Sequence, residues 1–178
     1  MLIFRRTALL FLLTAILCPT QAKAIVDSTP KLVAAVRDAA EGATIEIAAG
    51  TYKLNATLDL KAGMTLNGAG MDKTILTHAA SWKPSTKSLP DPEMTLDGLD
   101  TDAYLIRLKR DTAGVTISGM TLRGPQLHGA IFAWFHTDLH LHHVRIKETR
   151  WSGLRSFGMQ KAKIHDCEFI DAGGRWDN

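Results

Sequence analysis

The chain has 178 residues, the size of a single domain, with 21 Lys and Arg against 18 Asp and Glu. Arg5, Arg6 and Lys23 carry the whole basic excess, so everything after residue 24 is formally neutral. That removes the premise for a nucleic-acid partner, which needs a broad basic footprint, and leaves any polyanion site to a local cluster.

Arg5 and Arg6 precede an apolar run from Ala8 to Leu17 and a polar stretch ending in Ala22-Lys23-Ala24. This is the pattern of a secretory signal peptide over residues 1–24, with a small-x-small cleavage site. The run is shorter than the roughly 20 residues that span a bilayer, so no membrane association is expected after cleavage. Leu17 stands where a small residue would precede a lipid-modified cysteine, which argues against that fate for Cys18. The expected location is secreted or periplasmic. Only Cys167 remains in 25–178, so the processed chain can form no internal disulfide.

Lys31 to Glu41 reads as an amphipathic helix, with Leu32, Val36, Ala39 and Ala40 on one side after the start signal Ser28-Thr29-Pro30. Ala43 to Ala79 follows with strand-like runs. Residues 81–102 are polar, contain Pro84, Pro90 and Pro92, and read as a long loop of the functional kind. Tyr104 to Leu108 resumes the strand pattern.

Three later segments align without gaps: VTISGMTL from Val115, LHLHHVRI from Leu139 and AKIHDCEF from Ala162, spaced by about 24 and 23 residues. Their apolar positions form three columns: Ile117, Leu141 and Ile164; Met120, Val144 and Cys167; Leu122, Ile146 and Phe169. Alternation breaks by one residue between the first and second columns. Two short strands meeting at a corner explain the break, with Gly119, His143 and Asp166 as the positive-φ residues. A leucine-rich repeat has a similar period, but its leucine consensus with a fixed Asn is missing. The expected fold is all-β: a right-handed parallel β-helix with coils stacked about 4.8 Å apart. The helix at 31–41 would cap its open end, hiding core and unpaired backbone. Cys167 is then expected as a small buried hydrophobe.

A second strand in each coil is expected at Gly129-Ala130-Ile131-Phe132 and, 24 residues later, at Gly153-Leu154-Arg155-Ser156. Alternation after the glycine puts Ala130, Phe132, Leu154 and Ser156 inside, and Ile131 and Arg155 outside.

The segments AAEGATIEIAAGTY from Ala39 and LDLKAGMTLNGAGMDKTIL from Leu58 resemble the opening coils of the pectate lyase superfamily, over roughly Leu32 to Leu76. Gly68-Ala69-Gly70 belongs to that pattern; it has neither the full glycine fingerprint nor the βαβ context of a nucleotide loop. The resemblance implies a secreted polysaccharide-acting protein with its site in a shallow groove along one sheet. A lyase or epimerase on an acidic glycan is the first reading, and a non-catalytic carbohydrate-binding or surface β-helix is the alternative, because fold does not fix function. Gly173 to Asn178 follows the third repeat with no closing cap, so 25–178 is expected to be the N-terminal part of a longer helix domain.

Uronate chemistry removes a proton α to a carboxylate and must stabilise the anion formed, which calls for a base and a cation near the carboxylate. Arg155, pointing outward on the groove strand, is the catalytic candidate. His128, Arg150, Trp151, Arg175, Trp176 and Asp177 are the substrate-binding candidates, the tryptophans as stacking platforms. Arg145-Ile146-Lys147 resembles a short motif of polygalacturonase-type hydrolases, but their paired aspartates are missing and the strand is wrong. Repeat alignment stacks His142 on His165 and His143 on Asp166 as a surface ladder, short of a complete zinc ligand set, so no metal site is assigned. No cofactor is evident; calcium is the ion left open, with Asp177 as the one carboxylate in the expected region.

Overall fold

A computed structural model describes residues 25–83 and 103–173. Residues 1–24, expected as a signal peptide, most of the loop expected at 81–102, and Arg175, Trp176 and Asp177 lie outside the described residues. Strand β1 (Ile25–Val26) leads into helix α1 (Thr29–Asp38), then β2 (Thr44–Ile47), β3 (Gly50–Leu54), β4 (Leu58–Leu60), β5 (Thr65–Gly68) and β6 (Thr74–His78). Beyond 103 follow β7 (Tyr104–Leu108), β8 (Thr116–Arg123), β9 (Gly129–Trp134), β10 (His140–Thr149), β11 (Ser152–Phe157), β12 (Lys163–His165) and β13 (Glu168–Ala172). Every strand pair is parallel, in a nine-stranded sheet A and a four-stranded sheet B ordered β11, β9, β7, β4. The chain is a right-handed parallel β-helix with a capping helix.

The repeat alignment holds in sheet A. Leu141 pairs with Ile117 on one side and Ile164 on the other, and Ile146 pairs with Leu122 and Phe169. Gly119, His143 and Asp166 all adopt positive φ, at 63°, 52° and 51°. Each shifts the alternation by one residue, so that the apolar residues two before it and one after it both point inward, as Ile117 and Met120 do around Gly119. The inner columns extend back through Leu66 to Ile45 and through Leu76 to Tyr52. Ile117, Leu122, Leu141 and Ile146 are fully buried, each worth about 1.5–3 kcal/mol relative to an exposed side chain. Ile164 and Phe169, at the same columns in the last described coil, are 42% and 50% exposed. Cys167 is partly buried there, packed against the core, with burial raising its thiol pKa.

The cap is displaced from its expected bounds of 31–41. The helix starts at Thr29, with Pro30 in its first turn, and stops at Asp38, leaving Ala39 extended and Ala40 beyond it. The Lys61 ammonium donates to the carbonyls of Arg37 and Ala39, satisfying groups that would otherwise need another helical turn. Leu32 and Val36 face the core as expected, and the Tyr52 hydroxyl donates toward the Val26 and Ala48 carbonyls, both at 3.0 Å, beneath the cap.

Sheet B corrects the second expectation. Gly129 pairs with Ser152, not Gly153; Ile131 pairs with Leu154 and Phe132 with Arg155, a spacing of 23 residues. Ile131, expected in solvent, is fully buried in the core. Phe132, expected inside, falls on the ladder of Asp59, Arg107 and Arg155. Arg155 points outward as expected, while Leu154 packs on the core and Ser156, expected inside, is exposed in the edge strand. Ala130 and Ile131 both join the core, so simple alternation from Gly129 assigns Phe132 to the wrong side. The two glycines also serve different neighbours: a Cβ at Gly129 would lie 2.5 Å from the Ser152 carbonyl oxygen and the Tyr104 ring, whereas one at Gly153 would meet Phe169 and Ile146 inside.

Candidate functional site

The outer face of sheet B gathers the chemistry. Its central ladder runs Asp59, Arg107, Phe132, Arg155, and beside it Trp134 pairs with Phe157. The rings form a continuous patch: Phe132 lies 5.2 Å from Tyr104, 5.9 Å from Trp134 and 6.2 Å from Phe157 between centroids. Arginines cover its edges. Arg155 sits 5.4 Å above Phe157, and Arg110 lies 5.3 Å from Trp134 and 5.1 Å from Phe135. Arg107 grips Asp59 with two bonds of 2.6 and 2.9 Å, so the carboxylate of this ladder is already paired.

Two polar atoms on this side are buried without a hydrogen-bond partner among the described residues: Trp134 Nε1 and Ser152 Oγ. Near the cap, Arg37, Asp59, Lys61 and Lys109 line a concavity of about 300 Å³. Arg37 pairs with Asp38 there, and Lys61 is held by backbone carbonyls.

Of the sequence candidates, Arg155 stands on the patch. His128 and Trp151 stack at 3.7 Å, with Arg150 5.6 Å from the Trp151 ring. His128 is almost wholly buried, so it supports Trp151 more than it meets solvent; Tyr104 touches its edge at 6.3 Å, which ties this turn to the patch. Asp59, Arg107, Arg110, Phe132, Trp134 and Phe157 were not singled out by the sequence. The alternation of Ile106 and Leu108 against Arg107 and Lys109 was the available signal for the first of these arginines.

Sheet A carries inter-coil ion pairs on its outer face. Arg145 bonds both Asp72 and Glu168, holding both carboxyl pKa values below the ordinary range through hydrogen bonds and charge. Arg123 does the same to Glu148. Arg145 of the Arg-Ile-Lys tripeptide is thus occupied by an inter-coil ion pair on a different sheet from the aromatic patch.

No protein-family model matches the chain, and no curated protein matches it by sequence. Among solved structures it is similar to a pectin methylesterase mutant in complex with a hexasaccharide, at 14% identity and TM-score 0.52, over 80% of this chain and 50% of that one. It is also similar to the A-module of the Azotobacter vinelandii mannuronan C-5 epimerase, at 18% identity and TM-score 0.49, over 84% and 47%. The chain spans about half the length of each. The first likeness agrees with the strand pairing: in fold, this chain is a parallel β-helix.

Proposed function

We propose that this chain acts on an acidic polysaccharide lying along the outer face of sheet B, as a lyase or epimerase. The observation that carries the reading is the pair of partly exposed rings Trp134 and Phe157, backed by the buried rings of Tyr104 and Phe132 and edged by Arg110 and Arg155. Ring faces take the C–H faces of sugars, and guanidinium groups take uronate carboxylates as planar, two-pronged partners. A solved structure of similar fold is a pectin methylesterase mutant in complex with a hexasaccharide, which supports a glycan as the ligand class.

In this reading Arg155 neutralises the uronate carboxylate while a base removes the proton from the adjacent carbon. The electron pair then either expels the glycosidic oxygen, leaving a double bond, or is reprotonated from the opposite face. A second reading, binding without turnover, is favoured by one observation: Asp59, the carboxylate of the central ladder, is clamped by Arg107 rather than open to act as a base. Export by residues 1–24 would bring either kind of protein to such a polymer.

The test is incubation with polygalacturonate and with alginate, reading unsaturated ends by absorbance and epimerised residues by NMR. Turnover is expected, with Arg155→Ala at least 100-fold slower, about 3 kcal/mol of lost transition-state stabilisation. Binding of either polymer with no product sinks the enzymatic reading in favour of the binding one. Absence of both binding and product contradicts both.

A further inference from the structure

A cluster of imidazoles stands on the outer face of sheet A, away from the aromatic patch. His140 and His142 lie on β10, and His165 lies on β12 in the next coil. Their ring centroids form a triangle with sides of 4.6, 5.0 and 5.4 Å. The Nε2 atoms of His140 and His165 are 2.8 Å apart.

The contact of His165 with its other neighbour decides its tautomer. His165 Nδ1 lies 2.8 Å from an Asp166 carboxylate oxygen, and a carboxylate requires the proton on Nδ1. Neutral His165 therefore turns a bare Nε2 lone pair toward His140, whose Nε2 must carry the proton that bridges the pair. A carboxylate holding the far nitrogen of a histidine while its near nitrogen faces a shared point is the orienting arrangement found behind metal-bound histidines. His142 adds a third imidazole, its ring stacked on that of His165 at 5.4 Å between centroids and its Nδ1 3.0 Å from His143 Nδ1.

We propose that His140 and His165 form a binding site for a divalent transition-metal ion of the zinc class, with His142 as a third ligand and Asp166 orienting His165. This departs from the ladder reading of the sequence, in which His140 had no partner. No three such side chains are already converged on one point among the described residues; the two Nε2 atoms stand at hydrogen-bond distance, so zinc with Zn–N bonds of about 2.0–2.1 Å requires them to part by about 0.5 Å and His142 to turn about its side-chain bonds. The metal displaces the single bridging proton between the two Nε2 atoms and joins two successive coils.

Zinc chloride titrated calorimetrically into untagged protein at neutral pH tests this. One equivalent is expected to bind and to raise the thermal midpoint, while calcium and magnesium, which prefer oxygen ligands, give no response. His140→Ala and His165→Ala are each expected to weaken binding at least tenfold, and Asp166→Asn by about 10–100-fold as an orienting partner. Lys163→Ala, beside the site, leaves it unchanged. These side chains are at least partly exposed, and circular dichroism verifies that each variant is folded. No zinc binding by the wild type overturns the proposal, as does unchanged binding in either single histidine variant.

Discussion

Leu141→Asp is expected to destabilise the protein by more than about 4 kcal/mol, enough to unfold a domain of ordinary stability. Leu141 is fully buried and is sandwiched between Ile117 and Ile164 in the inner column, so the carboxylate would find no partner. The adjacent substitution His142→Ser, on the outer face, should change stability by less than about 0.5 kcal/mol in metal-free buffer, as at most surface positions. A pair of urea melts reads both. Similar losses at the two positions would contradict the inward and outward assignment of β10.

Gly129→Ala is expected to cost about 3 kcal/mol, at the upper end for an overpacked site. Its new methyl would stand 2.5 Å from the Ser152 carbonyl oxygen of the next coil, and backbone held in a parallel ladder cannot retreat without losing pairing. Gly153→Ala should cost less. There the nearest atom is the Phe169 ring at 2.9 Å, and that ring is half exposed and can swing away. Were the two glycines equivalent residues of a 24-residue repeat, the two substitutions would cost alike. Chemical denaturation of both variants distinguishes the two registers.

The corners of sheet A were legible because their chemistry is local. Gly119, His143 and Asp166 tolerate positive φ, and the apolar residues on either side break alternation in the same way in all three repeats. Sheet B offered no such mark. Gly129-Ala130-Ile131-Phe132-Ala133-Trp134 contains no charged residue to tell outside from inside, and the consecutive inward residues Ala130 and Ile131 shift the phase. Outward burial of Phe132 depends on rings from β7, β9 and β11, which only coil stacking assembles.

The candidate sites were hidden for a related reason. Asp59 and Arg107 meet across 48 residues, most of them outside any repeat that could have aligned them. His140 meets His165 diagonally; its ladder partner is Lys163, so column-by-column alignment passes over the contact. The outward orientation of Arg155 was legible in its own strand, where Leu154 beside it packs on the core. The cap helix was found from Leu32 and Val36, but its end was set by Lys61 from the following coil.

The central claim is that the aromatic and arginine face of sheet B holds an acidic glycan. Titration of the protein with galacturonate or mannuronate oligosaccharides, followed by tryptophan fluorescence and calorimetry at fixed low salt, addresses it most directly. The account predicts binding that weakens as salt is added, that neutral oligosaccharides of equal length do not match, and that falls at least tenfold in both Trp134→Ala and Arg155→Ala. Equal affinity for acidic and neutral sugars, or undiminished binding in both variants, would contradict it.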